Sequence, residues 1–296
     1  MESQDTTKVP TGLSLYNRAS HAAAKEVIYS YSTSFGLATR LLDKSHRHHV
    51  ENIYAMVRVA DEIVDGSAAE ALGSDSANGP EKMLSEFEEE TYRAMQLGYS
   101  TNLILHAFAQ TARLVGIERD IVEPFFTSMR MDLTETEHDQ KSFEAYVYGS
   151  AEVVGLMCLA VFVHNRSYTS EEKKILVSGA RALGASFQKV NFLRDLAADF
   201  DRLGRSYFPK VSVENFDERT KERLVSDIRN DLEVSSRSLP LLPMGARRAV
   251  AAAQLLFQEL NQKISRTPAQ ELKSRRISVG NTRKLVLLAR ALRGVA

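Results

Sequence analysis

The chain has 296 residues, 44% of them hydrophobic, and its 38 lysines and arginines balance 38 aspartates and glutamates. Zero net charge excludes the bulk attraction on which non-specific nucleic-acid binding depends, and the lone cysteine, Cys158, excludes an intrachain disulfide or a thiolate metal cluster. The longest apolar stretch, around residues 155–163, is shorter than the ~20 residues needed to cross a bilayer.

The opening "MESQDTTKVPTG" lacks a basic segment followed by an apolar one, so residues 1–14 read as a disordered tail and the expected location is cytoplasmic. From there to residue 296 the apolar residues recur with helical period, prolines are few and hairpin signals are missing, which predicts a single all-α domain over 15–296. Helices are expected at about 15–30, 46–66, 80–97, 101–116, 118–131, 142–163, 170–200, 217–236, 244–265 and 278–293. The small and polar run 66–80 reads as a loop, with Pro80 opening the next helix. Gly204 and Pro209 end the long helix that precedes them, and "PLLPMG" at 240–245 separates two more. Cys158, within an apolar run, reads as a small core residue.

Charge placement is more informative than charge total. Asn191, Asp195 and Asp199 lie at i, i+4 and i+8, and Asp61 and Asp65 at i and i+4, so each set shares one face of a helix. Like charges at that spacing cost an isolated helix ~0.2–0.5 kcal/mol per pair. Solvated surface is the ordinary explanation of such a face. Here, however, Ile53, Met56, Val57, Ala60, Ile63 and Val64 make the first helix apolar around most of its circumference, which directs its acids toward a bundle interior.

Carboxylates facing one another inside a bundle need arginine, protonation or divalent cations. The oxygen-only donor set suits magnesium, with manganese as the substitute, and argues against zinc. A di-iron site would need Glu-x-x-His pairs, which are missing, and the cluster His46, His48 and His49 precedes the acidic helix in a polar, cationic stretch. Arg58, Arg194 and Arg205 flank the acids, and guanidinium forks together with magnesium suit a diphosphate.

Four blocks in order, "YSTSFGLATRLL" (31–42), "YAMVRVADEIVDG" (54–66), "YVYGSAEVVGLM" (146–157) and "LGASFQKVNFLRDLAADFDRLGRSYFP" (183–209), resemble the head-to-head trans-isoprenyl diphosphate synthases, the squalene and phytoene synthase family. The resemblance runs from about residue 20 to 293. It implies an isoprenoid-synthase helical bundle around a central cavity, in which two prenyl diphosphates condense through a cyclopropylcarbinyl diphosphate.

Carried over by position, the resemblance makes Asp61, Asp65, Asn191, Asp195 and Asp199 the metal ligands. Arg58, Gln188 and Arg194 become diphosphate contacts, joined by Ser32 and Ser34, while Tyr207 and Arg205 follow the second motif. Phe35, Tyr54, Tyr146 and Phe192 are expected to line the cavity, and Phe257 stands where relatives often carry a cavity tyrosine. Glu62, one residue past Asp61, should turn away from the metal. Departures are Ala197 and Ala198 in place of Gly-Glu in the second motif and Tyr31 where a histidine is common.

Length and the first block look most like bacterial phytoene synthases, which implies two C20 geranylgeranyl diphosphates as substrates, no NADPH, and a downstream desaturase as a partner. The alternatives are a squalene or dehydrosqualene synthase using two C15 farnesyl diphosphates, or a non-catalytic subunit of a prenyl-synthase complex, which the retained acids disfavour. The basic stretch 272–285 could meet anionic headgroups, giving a peripheral contact with the inner face of the membrane, or serve as an extra diphosphate contact. Oligomeric state is not legible.

Overall fold

Helix starts are set by short polar side chains that satisfy otherwise unpaired backbone N–H groups. Asp43 accepts from the His46 amide at 3.1 Å, Asn102 from that of Ile104 at 3.0 Å, and Asp139 and Asp217 from those of Ser142 and Thr220, each at 2.7 Å. The computed structural model describes residues 11–72, 79–203 and 206–294, without the side chains of residues 33, 34, 69 and 197–203.

In chain order the helices are α1 (Gly12–Tyr31), α2 (Thr33–Thr39), α3 (Lys44–Val64), α4 (Ser67–Leu72), α5 (Gly79–Leu97), α6 (Leu103–Val115), α7 (Arg119–Thr134) and α8 (Gln140–Val147). A π-turn, Tyr148–Glu152, joins α8 to α9 (Val153–Val163). Then follow α10 (Ser170–Leu203), α11 (Glu218–Ser236), a 3₁₀ turn (Leu239–Leu241), α12 (Met244–Arg266), α13 (Ala269–Leu272) and α14 (Asn281–Leu292). Among the described residues there is no β-strand, only a single bridge between Glu137 and Ser206. The fold is all-α, as expected.

The helices pack into one bundle whose core includes the fully buried Ile53, Met56, Phe108, Phe125, Phe126 and Leu193. Two glycines set the spacing on one side of its centre. A Cβ at Gly155 on α9 would overlap the Ala180 carbonyl of α10, and one at Gly184 on α10 would overlap the Ala151 carbonyl. The two helices therefore meet backbone to backbone, with no side chain between them.

Several boundaries differ from expectation. Ser67–Leu72 is helical although 66–80 reads as a loop: three alanines and a leucine favour helix where packing permits it. Residues 73–78 lie outside the described residues, as do Gly204 and Arg205. Helix α1 starts at Gly12, capped by Thr11, three residues earlier than the expected tail boundary. Residues 1–10 of that tail are also outside the description. The apolar run at 155–163 belongs to a longer unit, Gln140–Val163, that is long and apolar enough to cross a membrane by length and composition. Half of its most apolar window is buried inside the bundle, which accounts for that composition in another way.

Candidate active site

The bundle encloses two joined cavities. A polar mouth of about 580 Å³ is walled by residues that include Arg58, Asp61, Gln188, Asn191, Arg194 and Arg276. It opens into an apolar tunnel of about 280 Å³. Phe35, Tyr54, Val57, Ser150, Gln188 and Asn191 line both. Along α10 the tunnel lining runs from Leu176 to Asn191, so the tunnel follows that helix for ~22 Å at 1.5 Å per residue.

The mouth end of α3 carries Arg58, Asp61 and Asp65. Arg58 forms ion pairs with Asp61 and Glu62, positions three and four residues further along its own helix. Glu62 also accepts from the Ser67 hydroxyl of α4; like Asp65 and Asp195 it is not among the mouth-lining residues. The Arg58 guanidinium sits 4.5 Å from the centre of the exposed Tyr31 ring. Burial first, and then the nearby charges of Asp65, Asp132 and Glu62, push the Asp61 carboxyl up to about 7, against the opposing pull of Arg58.

On α10, Arg194 Nε lies 3.1 Å from both Asp195 oxygens. Arg276, from the strap between α13 and α14, reaches the same carboxylate with Nε at 2.7 Å from Oδ1. Gln188, Asn191 and Arg194 line the mouth together with Arg58, Asp61 and Tyr146. Ser32 caps α2, accepting from the Phe35 amide at 3.1 Å, and lines the mouth as well. The side chains of Ser34, Ala197, Ala198, Asp199 and Arg205 fall outside the described residues.

A second carboxylate, missed from sequence, organises the far wall. Asp132 on α7 accepts from the Tyr146 hydroxyl at 2.8 and 3.0 Å and from the Tyr207 hydroxyl at 3.3 Å. Burial, and then the Asp132 charge, hold the Tyr146 phenol well above its ordinary value. A periodic signal existed: Val122, Phe125 and Met129 are buried on α7, and Asp132 continues that 3-4-3 spacing as a carboxylate in a core position.

Aromatic expectations divide. Phe35 and Tyr54 line both cavities, and Phe257 lines the mouth, stacked 3.8 Å from Phe187. Phe192 does not line either cavity; it is buried behind the wall and stacks on Tyr207 at 4.0 Å, about 100° round α10 from the cavity-lining Asn191. Cys158 lines the tunnel rather than filling solid core, and burial pushes its thiol up to about 12. His46, His48 and His49 are not among the residues lining either cavity.

Comparison with known proteins places this architecture. The family model described as squalene/phytoene synthase matches residues 28–283. The chain belongs to the squalene/phytoene synthase family.

Among curated relatives, this family member is 27% identical over 280 residues to a 15-cis-phytoene synthase of Enterobacter agglomerans, covering 88% of the chain and 90% of the relative. It is 26% identical over 285 residues to a 15-cis-phytoene synthase of Pantoea ananas, covering 90% and 89%. A ligand-bound dehydrosqualene synthase crystal structure superposes with a TM-score of 0.77 at 22% identity, over 95% of this chain and 98% of that one. A squalene synthase from Alicyclobacillus acidocaldarius gives 0.70 at 19% identity, over 85% and 95%. The fold is the isoprenoid-synthase helical bundle, and the family assignment makes the chain a head-to-head prenyltransferase.

The residues present suit a hard divalent cation. Asn191 Oδ1 is buried with no hydrogen-bond partner, a state that costs roughly 1–3 kcal/mol unless a ligand takes the oxygen. Asp61, Asp65 and Asp195 would add further oxygen donors, the chemistry magnesium and manganese prefer. No group of three or more His, Cys, Asp or Glu side chains is drawn together closely enough to hold an ion among the described residues. Arg58 occupies Asp61, and Arg194 and Arg276 occupy Asp195.

Proposed function

We propose that this prenyltransferase joins two geranylgeranyl diphosphates head to head to give phytoene, the first committed carotenoid. The observation that carries the reading is the continuity of an arginine- and carboxylate-lined mouth with an apolar tunnel. That is the shape of a molecule with a charged head and a long hydrocarbon tail. The names of the relatives and the small residues along the tunnel, among them Ala38, Gly155, Ala180, Ala249 and Ala253, support the longer C20 chain over C15.

In this reading Arg58, Arg194, Arg205 and Gln188 bind the diphosphates, with Ser32 and Ser34 beside one of them. Asp61, Asp65, Asn191, Asp195 and Asp199 hold magnesium or manganese, which supplies positive charge to the departing diphosphate. The C1–O bond of one substrate breaks, and the double bond of the second attacks the allylic cation. Loss of a proton then closes the cyclopropane. Loss of the second diphosphate, rearrangement and release of another proton give the linear product without a reductant, so NADPH is not required.

Throughout, Phe35, Phe187 and Phe257 exclude water from the cation and present ring faces to it. The hydrocarbon product suits transfer to a downstream desaturase, from a protein located in the cytoplasm.

Purified protein incubated with Mg²⁺ and either C15 or C20 diphosphate, with and without NADPH, tests the reading. A C40 hydrocarbon from the C20 substrate alone is the expected product. A C30 product only, or no hydrocarbon under any condition, rejects it. Ala249 on α12 is 5% exposed and lines the tunnel about two turns deeper than the mouth-lining Phe257. Ala249→Phe should therefore fill the deep end and shift the C15-to-C20 preference toward C15 by roughly tenfold or more, about the discrimination that one or two buried methylenes provide. Competition between the two substrates, read by product mass, checks this.

A further inference from the structure

Helix α14 is apolar over more of its circumference than the bundle covers. Leu287, Leu288 and Ala291 are buried against the bundle, mainly on α12. The outer face carries Leu285, Val286 and Leu292, exposed by 61%, 45% and 48%, with Ala289 between them. At 100° per residue, Leu285, Ala289 and Leu292 fall within about 60° of one another, a continuous stripe turned to solvent. A helix packed only on its inner side has no folding reason to be apolar on its outer side.

Charge marks what that stripe meets. From Leu272 to Ala296 the chain contains seven lysines and arginines and no aspartate or glutamate, within a protein of zero net charge. Much of the stretch expected from sequence to meet headgroups is engaged internally. Arg275 pairs with Glu271, Arg276 with Asp195, Arg283 with Glu259, and Lys273 donates to the Glu214 carbonyl. Arg290 and Arg293 lie together along one edge of the apolar stripe, on the side of Val286, and neither pairs with a carboxylate among the described residues. Position matters too: Lys284 of the same helix lines the mouth, as do Ile277, Ser278 and Val279 of the strap before it.

We propose that α14 is a docking helix that lies flat on an anionic lipid bilayer, with Leu285, Val286 and Leu292 in the acyl boundary and Arg290 and Arg293 at the phosphates. An apolar stripe bordered by cations is the form of an interfacial helix. The geometry sets the tunnel mouth beside the lipid surface, so that an apolar-tailed ligand would pass between bilayer and tunnel with little exposure to water. The inference does not depend on which prenyl diphosphate is used.

Sedimentation of the full chain with phosphatidylcholine vesicles, with and without phosphatidylglycerol, is read in the absence of substrate. Binding to the anionic vesicles that falls with added salt is expected. Leu285→Gln with Leu292→Gln, and separately Arg290→Gln with Arg293→Gln, should each weaken it by about tenfold or more. Both variants should keep the wild-type melting temperature and the wild-type rate on detergent-dispersed substrate. Failure of the wild type to bind anionic vesicles overturns the proposal, as does wild-type binding by both variants. So does an ultracentrifugation result in which the leucine variant turns a wild-type dimer into a monomer, because the stripe would then seat a second copy. Condensation assayed in detergent stays informative about the enzymatic reading in every case.

Discussion

Asp61→Asn is expected to lower turnover by at least ~10³-fold while making the metal-free protein more stable at pH 8. Both effects have one origin. The carboxylate lies among Asp65, Asp132 and Glu62 with only Arg58 in compensation, and its side chain keeps 30% exposure. Its folded value of about 7 stands above the ordinary 3.8. Between those two values the folded protein keeps a proton that the unfolded chain has released. Stability therefore falls as pH rises through that window, and the full penalty is present above pH 7.

Asparagine carries no such charge. The variant should match the wild type more closely at pH 5 and exceed it at pH 8, by about 1 kcal/mol once solvent screening in the open mouth is allowed for. Magnesium should raise the wild-type melting temperature at pH 8 and the variant's much less. Thermal melts at the two pH values, with and without Mg²⁺, and steady-state turnover check this. Near-normal turnover in the variant would remove Asp61 from the chemistry.

Asp132→Asn should cost roughly 10²-fold in turnover with little change in fold, whereas Asp132→Leu should lose both. Tyr146 and Tyr207 each direct a hydroxyl proton at Asp132. The phenol oxygen of Tyr146, which lines the mouth, is thereby left with lone pairs to offer a developing cation. The anionic acceptor polarises that oxygen; a neutral amide keeps a hydrogen bond but removes the polarising charge. Leucine leaves the buried Tyr146 hydroxyl without its acceptor, at ~1–3 kcal/mol. If Asp132 positions the phenols, the loss in the asparagine variant will fall on kcat and leave KM nearly unchanged. An equal loss in the Tyr146→Phe background would show that Asp132 acts by another route.

Legibility followed the range of the interactions. Periodicity found the long helices because each buries a continuous stripe over several turns: 170–200 was expected and Ser170–Leu203 observed. The short α2 and α4 escaped, since one or two turns carry too few periods to stand out. Within the site, residues on one helix were readable as a set from spacing, Asp61 with Arg58 and Asn191 with Arg194 and Asp195, whereas Gln188 came only from the family resemblance. Contacts between distant segments were not readable. Arg276 meets Asp195 from 81 positions away and Tyr207 meets Asp132 from 75, pairings that only the packed bundle brings about.

The π-turn at Tyr148–Glu152 aligns the wall of the active site. Tyr146 and Ser150 line the mouth, and Ser150, Val154 and Cys158 line the tunnel, a series of four-residue steps. In an unbroken α-helix each such step precesses by ~40°, so by Cys158 the series would have rotated about 120° away from the cavity. Five residues wound at about 4.4 per turn take back ~90° of that rotation, which keeps phenol, hydroxyl, valine and thiol on one meridian. Excising a single residue from the turn would leave four residues at ordinary winding, sweeping about 400° in place of about 410°, so the helices on either side would keep their bearing and only the turn itself would lose a wall position.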